Sequence, residues 1–380
     1  ILADSEWREM KDAVLRLDAL PSMRLLQMAG PALERCHVGL YNCAAVALKD
    51  ITAFSALLYV LMQGTGCSFS VEDRFISQLL KVKRQRRGSA DNYTIADSTE
   101  GWCDAFKAGM TSWMSGKDIQ FDFSHIRPAG SVLKTKGGRS AGPVPLKELL
   151  EFTRTTILSR QGRKLTSLDC HDIACYIGFI VQVGGVRRAA ELSLSDLDDT
   201  AMAECKTGEF WKKYPQRMMA NNSCVYEEKP SATEFMEEWL QLAKSGTGER
   251  GIYNRNTIIP KRRQRGTFIP NPCAEINLLE SQFCNLSICV ARPDDSLDDL
   301  ARKVRIASTF GTIQSTLTYF PYLNPVWQQN CEKERLLGVD ITGQRDCRLL
   351  QQPDSAASLR QLRDVAVDTN ATLAKRFGIA

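Results

Sequence analysis

Apolar positions along the chain recur with two periods, one near 3.6 residues and one suited to short extended runs, and together they divide the sequence into helices and strands. Trp7, Met10, Val14, Leu15 and Leu17 fall at helical spacing, which predicts an amphipathic helix closed off by Pro21. Further helices are expected at Thr52 to Met62, from Glu100-Gly101-Trp102 onward, and at Leu146 to Leu158, Asp169 to Val183, Phe235 to Ala243 and Leu297 to Phe310. Strand-like runs lie between them: Leu40 to Leu48, a glycine turn and strand over Gly64 to Glu72, Phe121 to Pro128, Met218 to Val225, Gly251 to Asn254 and Cys284 to Val290. Strands alternating with helices across residues 40–260 predict parallel strands joined by crossover helices. Lys81 to Asp97 and Gly130 to Pro143 read as loops.

Composition narrows the class. The chain has 380 residues, 43% hydrophobic and 24% charged, enough for one large domain or two ordinary ones. No apolar run approaches the roughly 18 residues of a membrane span, and no secretory signal is visible at the start. Thirteen cysteines, an odd number in no repeating framework, point to a reducing, cytoplasmic setting and not to a disulfide scaffold. With only His37, His125 and His171, and no CxxC pair, no metal site is expected. The net charge of +5 is mild and concentrated in Lys81 to Arg87 and Lys261 to Arg265. Neither run interleaves aromatic residues for base stacking, so both read as solvated loops and direct nucleic-acid binding is not expected.

The candidate chemistry lies between Thr267 and Leu286. Cys273 has an amide two residues before it, Asn271, and a carboxylate two residues after it, Glu275; Cys284 follows eleven residues later. Pro270 and Pro272 disfavour helix, so the segment reads as a loop or short strand. In an extended segment Asn271, Cys273 and Glu275 would share one face. An amide can hold a hydroxyl and a carboxylate can take its proton, which suits chemistry on a sugar.

Asn271-Pro272-Cys273-Ala274-Glu275-Ile276 followed by Cys284-Asn285-Leu286 resembles the active-site finger loop of ribonucleotide reductases, in the proline-containing form typical of the adenosylcobalamin-dependent class II enzymes. Other segments resemble the family in the same order: the turn Pro21-Ser22-Met23-Arg24, the pair Asn42-Cys43, Gly64 to Glu72 with Cys67 and Ser68 departing from the family pattern, Gly184 to Leu192, Ala220-Asn221-Asn222-Ser223, Thr316 to Tyr322 and Arg335 to Gly343.

The resemblance implies an α/β fold, a ten-stranded barrel of two antiparallel five-stranded parallel halves around a central finger, with the second half incomplete here. Its parts would be an N-terminal helical lead-in over 1–40, a first half-barrel over 41–266, the finger over 267–283 and a partial second half-barrel over 284–380. The chain reads as a fragment ending before the family's C-terminal part. The implied activity is reduction of ribonucleotides to 2′-deoxyribonucleotides, with adenosylcobalamin as cofactor. Cys273 would carry the thiyl radical, Glu275 would take the 3′-hydroxyl proton, Asn271 would hold the ribose, and Cys43 and Cys284 would end as a redox disulfide. Substrate would also meet Ser22, Asn42, Pro272 and Ala274, and Asp50 and Arg127 would contact a deoxynucleotide effector. The implied partners are a ribonucleoside di- or triphosphate, a thioredoxin-like reductant and a second copy in a homodimer. Alternatives are a class I catalytic subunit that receives its radical from a partner subunit, an inactive fragment, and a non-enzymatic nucleic-acid-binding protein.

Overall fold

The computed structural model describes residues 2–86, 88, 90–133, 138–182, 184–185, 189–258 and 266–379. The strands among them run in chain order as β1 (Ala19–Leu20), β2 (Cys43–Ala47), β3 (Gly66–Ser70), β4 (Asp91–Thr94), β5 (Ile119–Asp122), β6 (Glu191–Asp196), β7 (Ala220–Tyr226), β8 (Gly251–Asn254), β9 (Phe268–Pro270), β10 (Asn277–Leu279), β11 (Gln282–Cys284), β12 (Leu286–Val290) and β13 (Gly338–Thr342). The chain divides into two compact units, one of Ile1–Asn42 with Phe283–Ala380 and one of Cys43–Gln282.

The Cys43–Gln282 unit holds a parallel array in the order β2, β3, β6, β7, β8. Every residue of β2 and β3 is buried, as expected of parallel strands covered on both faces. The crossover from β2 to β3 is the helix Ile51–Met62, buried continuously from Ala53 to Met62 because its sequence is apolar all the way round. It packs against Thr99–Ser115 and Ser167–Gln182, and Val144–Leu158 packs against both of these. The parallel, helix-crossed architecture read from residues 40–260 is therefore present. Two local readings change. Lys81 to Asp97, expected to be loop throughout, contains β4, which pairs in parallel with β5, and the strand expected over Phe121 to Pro128 is the shorter β5. β4 is mostly exposed and its sequence Asp-Asn-Tyr-Thr carries no apolar alternation, so its pairing partner and not its pattern makes it a strand. The turn at Val186 to Arg188, Arg87 and the basic run Lys261 to Arg265 lie outside the described residues.

In the other unit β1 pairs antiparallel with β12, and β12 pairs in parallel with β13. The helices Asp4–Leu15, Leu297–Gln314 and Ser355–Phe377 bury Met10, Ala13, Leu300, Val304, Ala307 and Leu362 against Cys289 and Ala291. The single strand expected from Cys284 to Val290 is broken at Asn285. Its Nδ2 donates to the Gly311 carbonyl at 2.7 Å, and its own carbonyl accepts from the Gly338 amide at 2.7 Å. No described helix is long and apolar enough to cross a membrane.

Candidate active site

The finger is a hairpin. β9 and β10 pair antiparallel, with Pro270 opposite Asn277, Ile269 opposite Leu278 and Phe268 opposite Leu279. Between them Asn271 to Ile276 make a tight turn and not the extended run that alternation suggested. The Asn271 amide donates to the Ile276 carbonyl at 2.8 Å, and the Ala274 amide donates to the Asn271 carbonyl at 2.8 Å. The turn places Ala274 in the left-handed region at φ +67°, a conformation costing a non-glycine residue about 1 kcal/mol. As a result the three side chains do not share a face. Asn271 is fully buried, whereas Cys273 and Glu275 are exposed at the tip.

Asn271 nevertheless ties the group together. Its Nδ2 donates to Glu275 Oε1 at 2.7 Å and towards Cys43 Sγ at 3.5 Å, while its Oδ1 accepts from the Ile276 amide at 2.9 Å. Cys43 is buried at the start of β2. Burial, then the neighbouring Cys43 and the Glu275 carboxyl, push the Cys273 thiol above its ordinary range. Pro272 seats against Gly66, the residue opposite Cys43 on β3. A Cβ there would lie 3.3 Å from Pro272 Cγ and 3.3 Å from the Ala190 carbonyl oxygen. The glycine turn singled out in the sequence thus has a packing role: it lets the finger approach the sheet.

Of the other predicted positions, Cys284 is fully buried at the end of β11. Ser22 is a helix cap, accepting from the Leu25 amide at 3.0 Å and donating to the Leu40 carbonyl at 3.2 Å. Asn42 has a buried Oδ1 without a hydrogen-bond partner. Asp50 caps the Ile51–Met62 helix, accepting from the Ala53 amide at 2.8 Å. Arg127 donates to Asp97 at 2.6 Å. Sequence reasoning did not single out Glu72, Tyr253 and Arg255, three buried residues packed beside the finger; an arginine just past a strand carries no local signal that it is buried.

The architecture is α/β, a parallel sheet with helical crossovers and a cysteine-bearing finger seated on the sheet's first two strands. In agreement, the fold matches the crystal structure of a B12-dependent (class II) ribonucleotide reductase with a TM-score of 0.84, covering 99% of this chain and 64% of that one at 21% identity. In sequence the chain is 28% identical over 344 residues to the adenosylcobalamin-dependent ribonucleoside-triphosphate reductase of Lactobacillus gasseri, covering 77% of this chain and 45% of the relative. The enzymes of the same description from Lactobacillus helveticus and Lacticaseibacillus paracasei are 27% and 30% identical, covering 90% and 68% of this chain and 54% and 35% of theirs. No protein-family model matches the chain. The chain is a relative of the adenosylcobalamin-dependent ribonucleotide reductases and spans about half the length of the curated proteins it matches.

Proposed function

We propose that the protein reduces ribonucleotides to 2′-deoxyribonucleotides, with Cys273 as the radical-bearing thiol and Cys43 and Cys284 as the dithiol that supplies the electrons. One observation carries the reading: the Asn271 side chain holds Glu275 and reaches Cys43 while its oxygen fixes the turn that bears Cys273. An amide, a thiol and a carboxylate on one turn, with a second sulfur on the neighbouring strand within reach of the amide, suit this reaction.

The chemistry balances on these groups. The Cys273 sulfur, as a thiyl radical, would take the ribose 3′ hydrogen atom and later return it, and Glu275 would take the 3′-hydroxyl proton and later give it back. The 2′-hydroxyl would leave as water with one hydrogen of the dithiol, the other would go to C2′, and Cys43 and Cys284 would give up two electrons and form a disulfide. A thiol held above its ordinary pKa keeps its hydrogen at neutral pH, the form from which a hydrogen atom can be removed. An entering ribose hydroxyl would replace the Asn271–Glu275 contact, so that contact keeps the carboxylate in position until substrate arrives. Asn42, with an unpartnered buried Oδ1, has acceptor capacity for a second hydroxyl, whereas the Ser22 hydroxyl is already engaged as a cap.

The residues fit the cofactor named for the relatives in one respect: Cys273 and Ala274 are exposed, so a bound group reaches the sulfur from outside the sheet. Adenosylcobalamin, when bound, supplies radical generation, and Cys273 and Ala274 would line its approach. Because the relatives are described as ribonucleoside-triphosphate reductases, a ribonucleoside triphosphate is the substrate proposed. A thioredoxin-like dithiol would reopen the disulfide, a deoxynucleotide effector would engage Asp50 and Arg127, and a homodimer would be the working assembly.

The test is a single turnover. Prereduced protein is mixed with adenosylcobalamin and a radiolabelled ribonucleoside triphosphate in the absence of external thiol. About one equivalent of deoxynucleotide is expected, and none from Cys273→Ser despite retained nucleotide binding. Wild-type protein that binds the nucleotide and forms no deoxynucleotide would overturn the reading.

A further inference from the structure

The finger hairpin is short, three residue pairs in all, and Pro270 and Pro272 contribute no backbone donors. A two-stranded hairpin of this size is marginal by itself, so something outside it must fix where its tip sits. We propose that Arg255, together with Glu72 and Tyr253, is a positioning clamp that grips the finger's first strand at its root and its second strand beside the turn, and thereby sets the place of Cys273. This rests on the reading of Cys273 given under Proposed function.

Arg255 begins the short 3-10 turn after β8 and is 2% exposed. Its Nε donates to the Phe268 carbonyl of β9 at 2.9 Å. Its two terminal nitrogens donate to the two Glu72 carboxylate oxygens at 2.7 and 2.8 Å, and Nη1 also donates to Glu227. Glu72 is fully buried just beyond β3 and accepts a further hydrogen bond from Ser70 Oγ at 2.6 Å. Tyr253, on β8, donates to Asn277 Oδ1 of β10 at 2.7 Å, and its hydroxyl lies 3.4 Å from the Phe268 carbonyl oxygen. Phe268 and Asn277 stand at opposite ends of the hairpin's pairing, so the clamp holds both strands.

A buried ion pair is a poor way to gain stability, since desolvation offsets most of its attraction and well-packed apolar residues do as well or better. What a bidentate guanidinium adds is direction. Here it links the ends of two sheet strands to one carbonyl of the finger. Burial works against both charges. Even so, Glu72 is held below its ordinary range by the hydrogen bonds and charge of Arg255, and Arg255 is pushed up by Glu72. Both partners therefore stay ionised and the fork stays closed.

Tyr253→Phe and Arg255→Lys separate positioning from bulk stability. Tyr253→Phe removes one hydrogen bond to the finger and leaves the buried pair intact. Hydrogen exchange is followed at the Ala274 and Ile276 amides, which are bonded within the turn, and at the amides of β2 and β3 as an internal reference; single-turnover kinetics are followed in parallel. The expected result for Tyr253→Phe is at least tenfold faster exchange at Ala274 and Ile276 with β2 and β3 unchanged. Deoxynucleotide formation should slow at least tenfold at saturating substrate, with KM within twofold of wild type. Arg255→Lys, which keeps the charge but loses the fork, should show larger effects in the same direction if it folds; if it does not fold, Tyr253→Phe decides alone. Exchange at the finger that rises no more than at β2 and β3 would overturn the clamp and leave an ordinary structural pair. A wild-type protein with no turnover would remove the functional reading, while the exchange data would still decide whether the clamp holds the finger.

Discussion

Asn271 makes three hydrogen bonds from a fully buried side chain, and its removal has effects that separate by substituent. Asn271→Leu keeps the volume but leaves the Ile276 amide and the Glu275 carboxylate without their partner, a loss of about 2 kcal/mol in unfolding free energy along with most of the activity. Asn271→Asp keeps the acceptor for Ile276 and places a second carboxylate beside Glu275. The variant loses the amide hydrogens that Glu275 accepts, so single-turnover product should fall as in Asn271→Leu while the unfolding free energy falls less, because the acceptor for the Ile276 amide remains. Full activity in Asn271→Asp would mean that the Asn271–Glu275 contact has no part in the reaction. A second residue away from the finger reports on the sheet. Glu191 begins β6 fully buried, neither carboxylate oxygen has a hydrogen-bond partner, and a Cβ at Gly178 would come within 2.0 Å of it. Burial pushes its carboxyl well above the ordinary range, with Lys206 acting in the opposite sense. The native chain then retains a proton that the unfolded chain releases above about pH 4.3, so this group's contribution is complete below that pH and declines as pH rises towards its folded value. Glu191→Gln cannot ionise and lacks that slope. The melting temperature of the variant relative to wild type should therefore climb between about pH 5 and 7.5, and parallel curves would show that Glu191 ionises in the fold.

Elements differ in how plainly the sequence announces them. β2 and the helix Ile51–Met62 were legible because burial on all sides favours near-continuous apolar residues, whereas β3, Gly-Cys-Ser-Phe-Ser, was legible from the glycine turn that leads into it. The finger turn was not. Alternation in Asn271, Cys273 and Glu275 fits a strand, but the left-handed Ala274 and the Asn271 side-chain bond to Ile276 close the backbone into a turn, and neither has a sequence period. The break at Asn285 was hidden for the same reason, since the side chain that interrupts the strand bonds to residues far along the chain. Asp50 illustrates a residue with two readings. As the cap of Ile51–Met62 it satisfies the Ala53 amide, so Asp50→Ala should cost about 1 kcal/mol in urea unfolding and Asp50→Ser very little. Equal losses for both would argue against the cap. If Asp50→Ser keeps stability but loses effector response, the carboxylate has a role beyond capping. Gly66 can be tested similarly: Gly66→Ala presses a methyl group against Pro272 and the Ala190 carbonyl and should destabilise the unit by about 1–2 kcal/mol.

At the scale of the whole molecule the order of motifs carried more information than any one of them. Twelve of the thirteen cysteines are buried or partly buried and read individually as small core residues, and nothing local distinguishes Cys43 or Cys284 from Cys67 or Cys175. Their candidacy came from position relative to the finger, a relation that composition and periodicity do not encode. That relation makes a stoichiometric prediction. Each turnover without external reductant must oxidise two thiols, so a denatured, alkylated sample should contain two fewer reactive cysteines than the thirteen of the resting chain, and peptide mapping should find the new link between Cys43 and Cys284 with Cys273 still alkylated. Cys43→Ser and Cys284→Ser should each abolish both the product and the loss of thiols. A disulfide that joins other cysteines, or thiol loss that proceeds equally without nucleotide, would detach the pair from the reaction and leave the two residues as packing.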